Sequence, residues 1–144
     1  MALEVHIVTP EREVWAGEVD QLIARGVDGE VGILGGHAPL LVQLAIGPLR
    51  LLSEHGETRA VVDGGFLHVT SAADGADEGG GGTRVDVLAS GAELAGDIDI
   101  EAARRRADGL RERLQDHGTQ LAEAEIAALQ VELQKALARV SLAG

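Results

Sequence analysis

The sequence predicts an all-β sandwich of about ten strands followed by a C-terminal antiparallel α-helical hairpin. Two observations predict this fold. Short apolar runs separated by turn residues fill the first two thirds of the chain, and the apolar spacing becomes helical near Asp97. We therefore place a β-sandwich domain at residues 1–96 and a helical hairpin domain at residues 97–144.

The strands of the first domain are predicted from apolar residues in short runs bounded by turn signals. His55-Gly56 is typical of a hairpin turn, and Asp63-Gly64-Gly65 is predicted as a second turn. Because Trp15 and Phe66 are the two aromatic residues, the core is expected to consist of Val, Leu, Ile and Ala. The predicted strands are marked by Val5, Ile7, Val14, Val19, Leu22, Ile23, Val31, Ile33, Leu34, residues 40–44, Leu49, Leu51, Leu52, residues 60–62, Phe66, Leu67, Val69, Val85, Val87 and Leu88.

Residues 71–83 read SAADGADEGGGGT, an acidic and glycine-rich segment between two predicted strands. This composition predicts a long, flexible hairpin loop. A phosphate-binding loop would need Lys followed by Ser or Thr after its last glycine, at the start of a helix. Here Thr83-Arg84 leads into a strand, so phosphate binding is not predicted.

Two amphipathic helices are predicted after Asp97, joined by a turn at His117-Gly118-Thr119. Gly109 lowers the stability of the first helix by about 1 kcal/mol relative to alanine. The run Arg104-Arg105-Arg106 has two interpretations, an anion-binding patch or a solvated helix face with i,i+4 partners, and the second is favoured. The apolar stripes consist of Ile100, Ala103, Ala107, Leu110 and Leu114 in the first helix and Ala122, Ile126, Leu129, Leu133, Ala136 and Val140 in the second.

Composition excludes several classes of function. The formal net charge of -12 disfavours nucleic-acid binding, and no apolar stretch reaches the roughly 20 residues that span a bilayer. The chain has no cysteines, and its five histidines lack metal-ligand spacing, so no metal site is predicted. A small hydrolase using His37 with a carboxylate lacks a visible nucleophile or oxyanion loop. The residue types therefore favour a binding or structural protein over an enzyme, with no catalytic residues.

Four segments, taken in order, carry a family resemblance. GEVGILGGHAPLL at residues 29–41 resembles the signature of the ε subunit of F-type ATP synthases, usually written G-E-x-G-I-L-P-G-H-A-P-L-L. Residues 7–34 resemble the N-terminal strands of that family, and VDGGFL at residues 62–67 resembles its glycine-glycine-phenylalanine hairpin. VDVLA at residues 85–89, followed by Ile98-Asp99, resembles the join to the family's helical hairpin.

The resemblance implies a non-catalytic rotor subunit in the central stalk of a proton-translocating F1Fo ATP synthase. Such a subunit binds the γ subunit and the c-ring and helps to couple proton flow to ATP synthesis. It also implies a hairpin that can extend along γ to the α/β subunits and inhibit ATP hydrolysis. The expected location is peripheral, on the cytoplasmic side of the cell membrane, with the membrane reached only through the Fo sector. The alternative is a free-standing β-sandwich binding module with a helical oligomerisation tail.

The resemblance assigns contacts rather than catalysts. It places Gly29, Glu30 and Gly32 toward the c-ring and His37, Ala38, Pro39, Leu40 and Leu41 near γ. For His37 a local hydrogen bond in the turn is the alternative interpretation. Two departures stand out: Gly35 replaces the usual proline, which loosens this turn, and residues 72–82 form an insertion.

Some relatives bind ATP through an I/L-D-x-x-R-A motif at the start of the hairpin. Ile98, Asp99 and Ala103 match this motif, but Ala102 stands in place of the arginine. Arg139 of the second helix can still contribute a contact. No cofactor is expected, and ATP is at most a regulatory ligand held weakly by Asp99, Ala103 and Arg139.

Overall fold

The computed structural model describes residues 2–71, 82–117 and 120–143, apart from the side chain of His117. Strands fill the first part of the chain and two helices the last, so the predicted order of elements is confirmed. The elements are β1 (Leu3–Val8), β2 (Glu13–Val19), β3 (Gln21–Gly26), β4 (Gly29–Leu34), β5 (Leu40–Ser53), β6 (Gly56–Ser71), β7 (Thr83–Ala89), β8 (Ala92–Leu94), a 3-10 helix (Ala95–Asp97), α1 (Ile100–His117) and α2 (Glu123–Val140).

The strands form one continuous sheet that folds onto itself as a sandwich. Its order is β2-β1-β7-β6-β5-β3-β4, with β8 paired to β6 off this path. β1 pairs parallel with β7, and the other neighbouring strands of the described residues pair antiparallel. β2, at one end of the order, also contacts β5 and β8, which closes the two layers over a shared core. The core consists mainly of Leu3, Val5, Ile7, Leu22, Ile33, Leu49, Leu51, Leu67, Val69, Val85 and Val87.

The predicted turn at Asp63-Gly64-Gly65 is wrong, because β6 continues through these residues from Gly56 to Ser71. Gly64 and Gly65 have φ angles of +83° and +128°, which allow a bend within the strand without reversing the chain. Before the bend β6 pairs with β8, and after it β6 pairs with β7. The sequence could not separate the two outcomes, because a glycine pair permits positive φ both in a turn and in a bent strand.

The two long strands also account for the difference between the predicted and observed strand numbers. The predicted strands at 40–44 and 49–52 are the two halves of β5, and those at 60–62 and 66–69 are the two halves of β6. The described residues therefore form eight continuous strands, and counting each long strand as two halves makes ten. The predicted His55-Gly56 turn is confirmed, since Ser53 of β5 pairs with Gly56 of β6 across it.

Both predicted helices are confirmed. Ala103, Ala107 and Leu110 are buried on the predicted stripe of α1, and α1 packs against α2 as an antiparallel hairpin. The predicted connection is tested only in part, because residues 118 and 119 lie outside the described residues. The same holds for the predicted loop, of which residues 72–81 lie outside them.

α2 docks the hairpin onto the outer face of β5 and β6. Val61 shows where the contact lies. Its neighbours Ala60 and Val62 belong to the sandwich core, so alternation along the strand points Val61 to the opposite face. Val61 is nevertheless fully buried, because the hairpin covers this face. Within the described part of the chain, no helix is both long and apolar enough to cross a membrane.

Candidate binding surfaces

The segment from Gly29 to Leu34 is an edge strand with little side-chain cover. β4 pairs with β3 and ends the strand order, and Gly29, Glu30 and Gly32 are exposed on it. Gly29 has a φ of +134° at the β3–β4 turn, where a side chain would be strained. Glu30 lies opposite Arg25 of β3 in the register. The three predicted c-ring contacts thus share one accessible edge.

His37 lies in a compact turn that joins β4 to β5. The backbone N–H of His37 donates to the Leu34 carbonyl at 3.1 Å, and the ring Nδ1 lies 2.7 Å from the Ala38 carbonyl. A carbonyl can only accept, so Nδ1 carries a proton, and in the neutral tautomer with this proton Nε2 is the acceptor. The local hydrogen bond that sequence reasoning held as an alternative is therefore present, and no contact with a partner is tested.

Two further contacts define this turn. The Gly36 N–H donates to Thr83 Oγ1 at 2.7 Å, and Thr83 is buried at the start of β7, so the turn is tied to the sheet. Leu34 before the turn and Leu41 after it are 56% and 63% exposed. Among the other predicted γ contacts, Ala38 and Pro39 are exposed and Leu40 is half-buried. The loop thus exposes two large apolar side chains on a backbone that is hydrogen-bonded to the sheet.

A second apolar surface was missed by sequence reasoning. Phe66 of β6 pairs with Leu88 of β7, and both side chains point away from the core, 47% and 51% exposed. Val8 of β1 pairs with Leu88 from the other side. The signal was present in Phe66-Leu67 and Val87-Leu88, because two adjacent apolar residues in a strand face opposite sides. The side chains of Val8, Phe66 and Leu88 line a shallow cavity with a volume of about 420 Å³, which we call the apolar groove. The apolar groove is lined by Val8, Thr9, Pro10, Gly65, Phe66, Leu88, Ala89 and Ser90.

Charged side chains continue the same outer face beside the apolar groove. Arg84 donates through Nη2 and Nε to Asp86 at 3.1–3.2 Å, and His6 Nε2 lies 2.7 Å from Glu4. The hydrogen bond to Asp86 holds the pKa of Arg84 above its ordinary value. An apolar patch bordered by polar residues is the usual layout of a protein contact surface.

A cavity of about 290 Å³ lies where the hairpin meets the sandwich. Arg139 of α2 makes a two-pronged ion pair there with Asp63 of β6, at 2.9 Å for each pair of atoms. Its Nε also donates to Glu93 of β8 at 2.5 Å. Hydrogen bonding to Asp63 dominates the shift that holds the pKa of Arg139 above its ordinary value, against the opposing effect of burial. The cavity is lined by Asp63, Ala103, Arg106, Glu132, Lys135, Ala136 and Arg139.

Two of the three predicted nucleotide contacts meet at this cavity. Ala103 and Arg139 line it, whereas Asp99 is exposed at the start of α1, where its Oδ1 accepts from the Ala102 N–H at 3.0 Å. Sequence reasoning missed Asp63 and Glu93 as the partners of Arg139, because no local pattern links them. The described residues contain no group of three or more potential ligands that could hold a metal ion.

Comparison with known proteins agrees with this fold. Residues 2–73 match the family model of the ATP synthase Delta/Epsilon chain, beta-sandwich domain. The ATP synthase epsilon chain of Thermobifida fusca is 50% identical over 105 residues, which cover 71% of this chain and 69% of that one. The epsilon chain of Halalkalibacterium halodurans is 34% identical over 142 residues, covering 99% and 97% of the two chains.

Solved structures repeat the same architecture. A chain of the Euglena gracilis mitochondrial ATP synthase, in an OSCP/F1/c-ring structure, superposes with a TM-score of 0.73 at 24% identity, covering 94% of this chain and 78% of that one. A chain from the Tetrahymena thermophila mitochondrial ATP synthase central stalk and c-ring superposes with a TM-score of 0.56 at 14% identity, covering 100% and 98%. At these identities the likeness shows the fold.

A folded-over β sandwich with a docked helical hairpin and large exposed apolar side chains is typical of a protein that binds other proteins. The chain belongs to the family of ATP synthase epsilon chains. It is thus a non-catalytic subunit of the ATP synthase, a membrane-associated complex, and its partners are other subunits of that complex. The alternative of a free-standing binding module is not favoured.

Proposed function

We propose that this chain is a rotor subunit of the central stalk that joins the γ subunit to the c-ring and couples proton flow to ATP synthesis. The observation that carries the proposal is the set of large apolar side chains exposed around the β4–β5 turn and on the outer faces of β6 and β7. Monomeric proteins seldom leave such groups clustered on the surface without a partner. These side chains are Leu34, Leu41, Phe66 and Leu88.

The two kinds of surface suit two partners. The apolar groove and Leu41 offer area for burial against γ, because apolar contact supplies most of the free energy in a stable interface. The edge strand β4 carries Glu30 between Gly29 and Gly32, so one carboxylate and a backbone without side-chain cover are available for a polar contact with the c-ring. His37 can add its Nε2 as an acceptor while its Nδ1 holds the turn.

Co-purification with recombinant α, β and γ subunits tests the γ contact. We expect the wild-type chain to be retained with γ in a one-to-one complex. Phe66→Asp places a charge in the apolar groove and should abolish retention, because an unpaired carboxylate resists burial. Val27→Asp is the matched control, since Val27 is 53% exposed in the turn between β3 and β4, away from the groove and from the hairpin. If the wild-type chain is not retained, or if both variants behave alike, the proposal fails.

We further propose that the hairpin can leave the sandwich, extend along γ toward the α/β subunits and inhibit ATP hydrolysis. The hairpin contacts the sandwich mainly through one of its helices, and an element with such limited contact can have two positions a few kcal/mol apart. Deletion of residues 97–144 should raise the ATPase rate of the reconstituted complex. An unchanged rate would remove inhibition from the proposal and leave the coupling function.

The proposed location is peripheral, on the cytoplasmic side of the cell membrane, with attachment through the Fo sector. The chain should sediment with inverted membrane vesicles that contain the whole complex. It should be released together with γ when the catalytic sector is stripped from the vesicles. Binding to vesicles of anionic lipid alone would contradict this location, because it would show direct attachment to lipid.

No cofactor is proposed, and ATP is a second candidate only as a regulatory ligand of the cavity between hairpin and sandwich. The observation that favours ATP is that Arg106, Lys135 and Arg139 converge on this cavity. Each cation already faces a carboxylate, since Glu132 pairs with both Arg106 and Lys135, so weak binding is expected. Millimolar ATP should raise the melting temperature of the wild-type chain but not of Lys135→Gln. If the wild-type melting temperature does not rise, this candidate is wrong.

A further inference from the structure

The hairpin is held on the sandwich by a narrow band at the C-terminal end of α2. The apolar part of this band is made of small or half-buried side chains. Leu137 and Ala138 line a cavity together with Ile46 and Pro48 of β5. Ala136 lines the cavity beside Asp63. Val61 is covered beside them. Small side chains bury little area, so the apolar contact by itself favours the docked position only modestly.

One side chain supplies the charged part of this band. Arg139 bridges α2 to two separate strands, with Asp63 in β6 and Glu93 in β8 as its partners. The side chains of Arg139 and Asp63 are 16% and 11% exposed, so water screens this pair less than a surface pair. Among the ion pairs of the described residues, those of Arg139 are the ones that join the hairpin to the sandwich.

Both sides of the Arg139 contact are preorganised. Arg139 Nη1 also donates to the Lys135 carbonyl one turn earlier in α2, at 2.9 Å, which restrains the guanidinium. The Asp63 N–H donates to the Gly91 carbonyl at 2.8 Å. A Cβ at Gly91 would lie 2.7 Å from Asp63 Oδ2, so glycine leaves room for the carboxylate at this position. Groups restrained in advance lose less conformational entropy when they meet.

We propose that Arg139, Asp63 and Glu93 form an ionic clasp that holds the hairpin in its docked position, and that this clasp needs no bound nucleotide. The two carboxylates occupy the donors of Arg139 that an external anion would otherwise use. Arg139 remains charged throughout the physiological pH range, because hydrogen bonding to Asp63 holds its pKa above the already high ordinary value of arginine. Deprotonation of Arg139 therefore does not open the clasp.

Hydrogen exchange of the isolated full-length chain, measured without nucleotide, tests the clasp. Asp63→Asn keeps the shape of the side chain and removes its charge, whereas Arg139→Gln removes the charge and shortens the side chain. We expect exchange of the α2 amides from 136 to 140 to be roughly 10- to 100-fold faster in either variant. Glu93→Gln should have a smaller effect, because Glu93 makes one bond and is 40% exposed. The double variant Arg139→Gln, Asp63→Asn should exchange no faster than the faster single variant.

Controls separate the clasp from general damage to the fold. Arg104→Gln removes an ion pair with Glu101 inside α1 and should leave α2 exchange unchanged. Amides of β1 and β7 report the sandwich and should not change in any variant. Unchanged α2 exchange in Arg139→Gln and Asp63→Asn would overturn the proposal. A graded increase limited to the last residues of α2 would also overturn it, because detachment of the hairpin should accelerate amides 136–140 by a common factor.

The consequence for regulation rests on the proposed inhibitory function, and the two can fail separately. In the reconstituted complex, Arg139→Gln should lower the ATPase rate, because more hairpins are free to extend. Faster exchange with an unchanged ATPase rate would support the ionic clasp and contradict the proposed inhibitory function. Unchanged exchange would contradict the ionic clasp, whatever the ATPase rate.

Discussion

Among the glycines of the described residues, Gly65 is the one at which a single added methyl group should damage this protein most. A Cβ at this position would lie 2.1 Å from the Leu88 carbonyl oxygen and 2.8 Å from the Ala89 Cα, both backbone atoms of β7. Its φ of +128° is also a conformation that residues with a side chain rarely adopt. Neither problem can be relieved by rotating a side chain, so Gly65→Ala must change the backbone where β6 meets β7.

The cost follows from two contributions. Backbone strain at such a φ costs about 1–3 kcal/mol, and forced movement of packed strands costs about 1–3 kcal/mol more. We expect Gly65→Ala to lower the free energy of unfolding by about 4 kcal/mol, a large fraction of the 5–15 kcal/mol typical of whole proteins. The melting temperature should fall by roughly 10–20 °C.

Urea and thermal unfolding measure the change in the free energy of unfolding, and each is followed by two spectroscopic signals. Trp15 is the single tryptophan and packs against the sandwich core, so its fluorescence reports the β domain. Far-ultraviolet circular dichroism reports the helices. Gly96→Ala is the matched control, because a Cβ there would meet nothing within 4 Å. If Gly65→Ala and Gly96→Ala unfold within about 1 kcal/mol of each other, the bend is not constrained as described.

Three further substitutions test other local contacts. Gly109→Ala should stabilise the hairpin by about 1 kcal/mol, because this exposed helical position has open space for a Cβ. Urea unfolding followed by circular dichroism measures the gain, and a loss of stability would contradict the helix geometry. Asp99→Ala should cost about 1 kcal/mol in the same assay, because it removes the side-chain acceptor at the start of α1; Asp99→Asn, which keeps an acceptor, should cost less. Gly91→Ala should displace the Asp63 carboxylate and speed α2 hydrogen exchange without removing a charge, whereas unchanged exchange would show that Arg139 tolerates this displacement.

The bend at Gly65 matters for function because it connects the two proposed contact regions. Asp63, just before the bend, receives Arg139 of the hairpin, and Phe66, just after it, forms the apolar groove. One strand thus passes from the face beneath α2 to the face proposed for γ. A variant that shifts the bend should disturb both contacts together, and the single-site variants at Arg139 and Phe66 should separate them.

The sequence by itself determined the parts of the structure that repeat over short distances. Period-two runs indicated the β domain, and the stripe through Ala103, Ala107 and Leu110 indicated α1, because backbone geometry imposes both periods locally. The segment at residues 29–41 and three ordered matches indicated the family, which the comparisons confirmed. Those same residues suggested contact sites, but no local pattern could test a partner that is a separate chain.

Only the tertiary structure decided which distant residues meet. Val61 was predicted as an ordinary strand residue, yet it is buried beneath the hairpin and outside the sandwich core. Arg139, for which a weak nucleotide contact stays a prediction, pairs with Asp63, 76 residues earlier in the chain. Local periodicity reports which face of an element is apolar, whereas pairing between elements depends on how the sheet folds and where α2 docks. The path of β6 through Gly64 and Gly65 sets that geometry, because it brings Asp63 beneath α2 and turns Phe66 toward solvent.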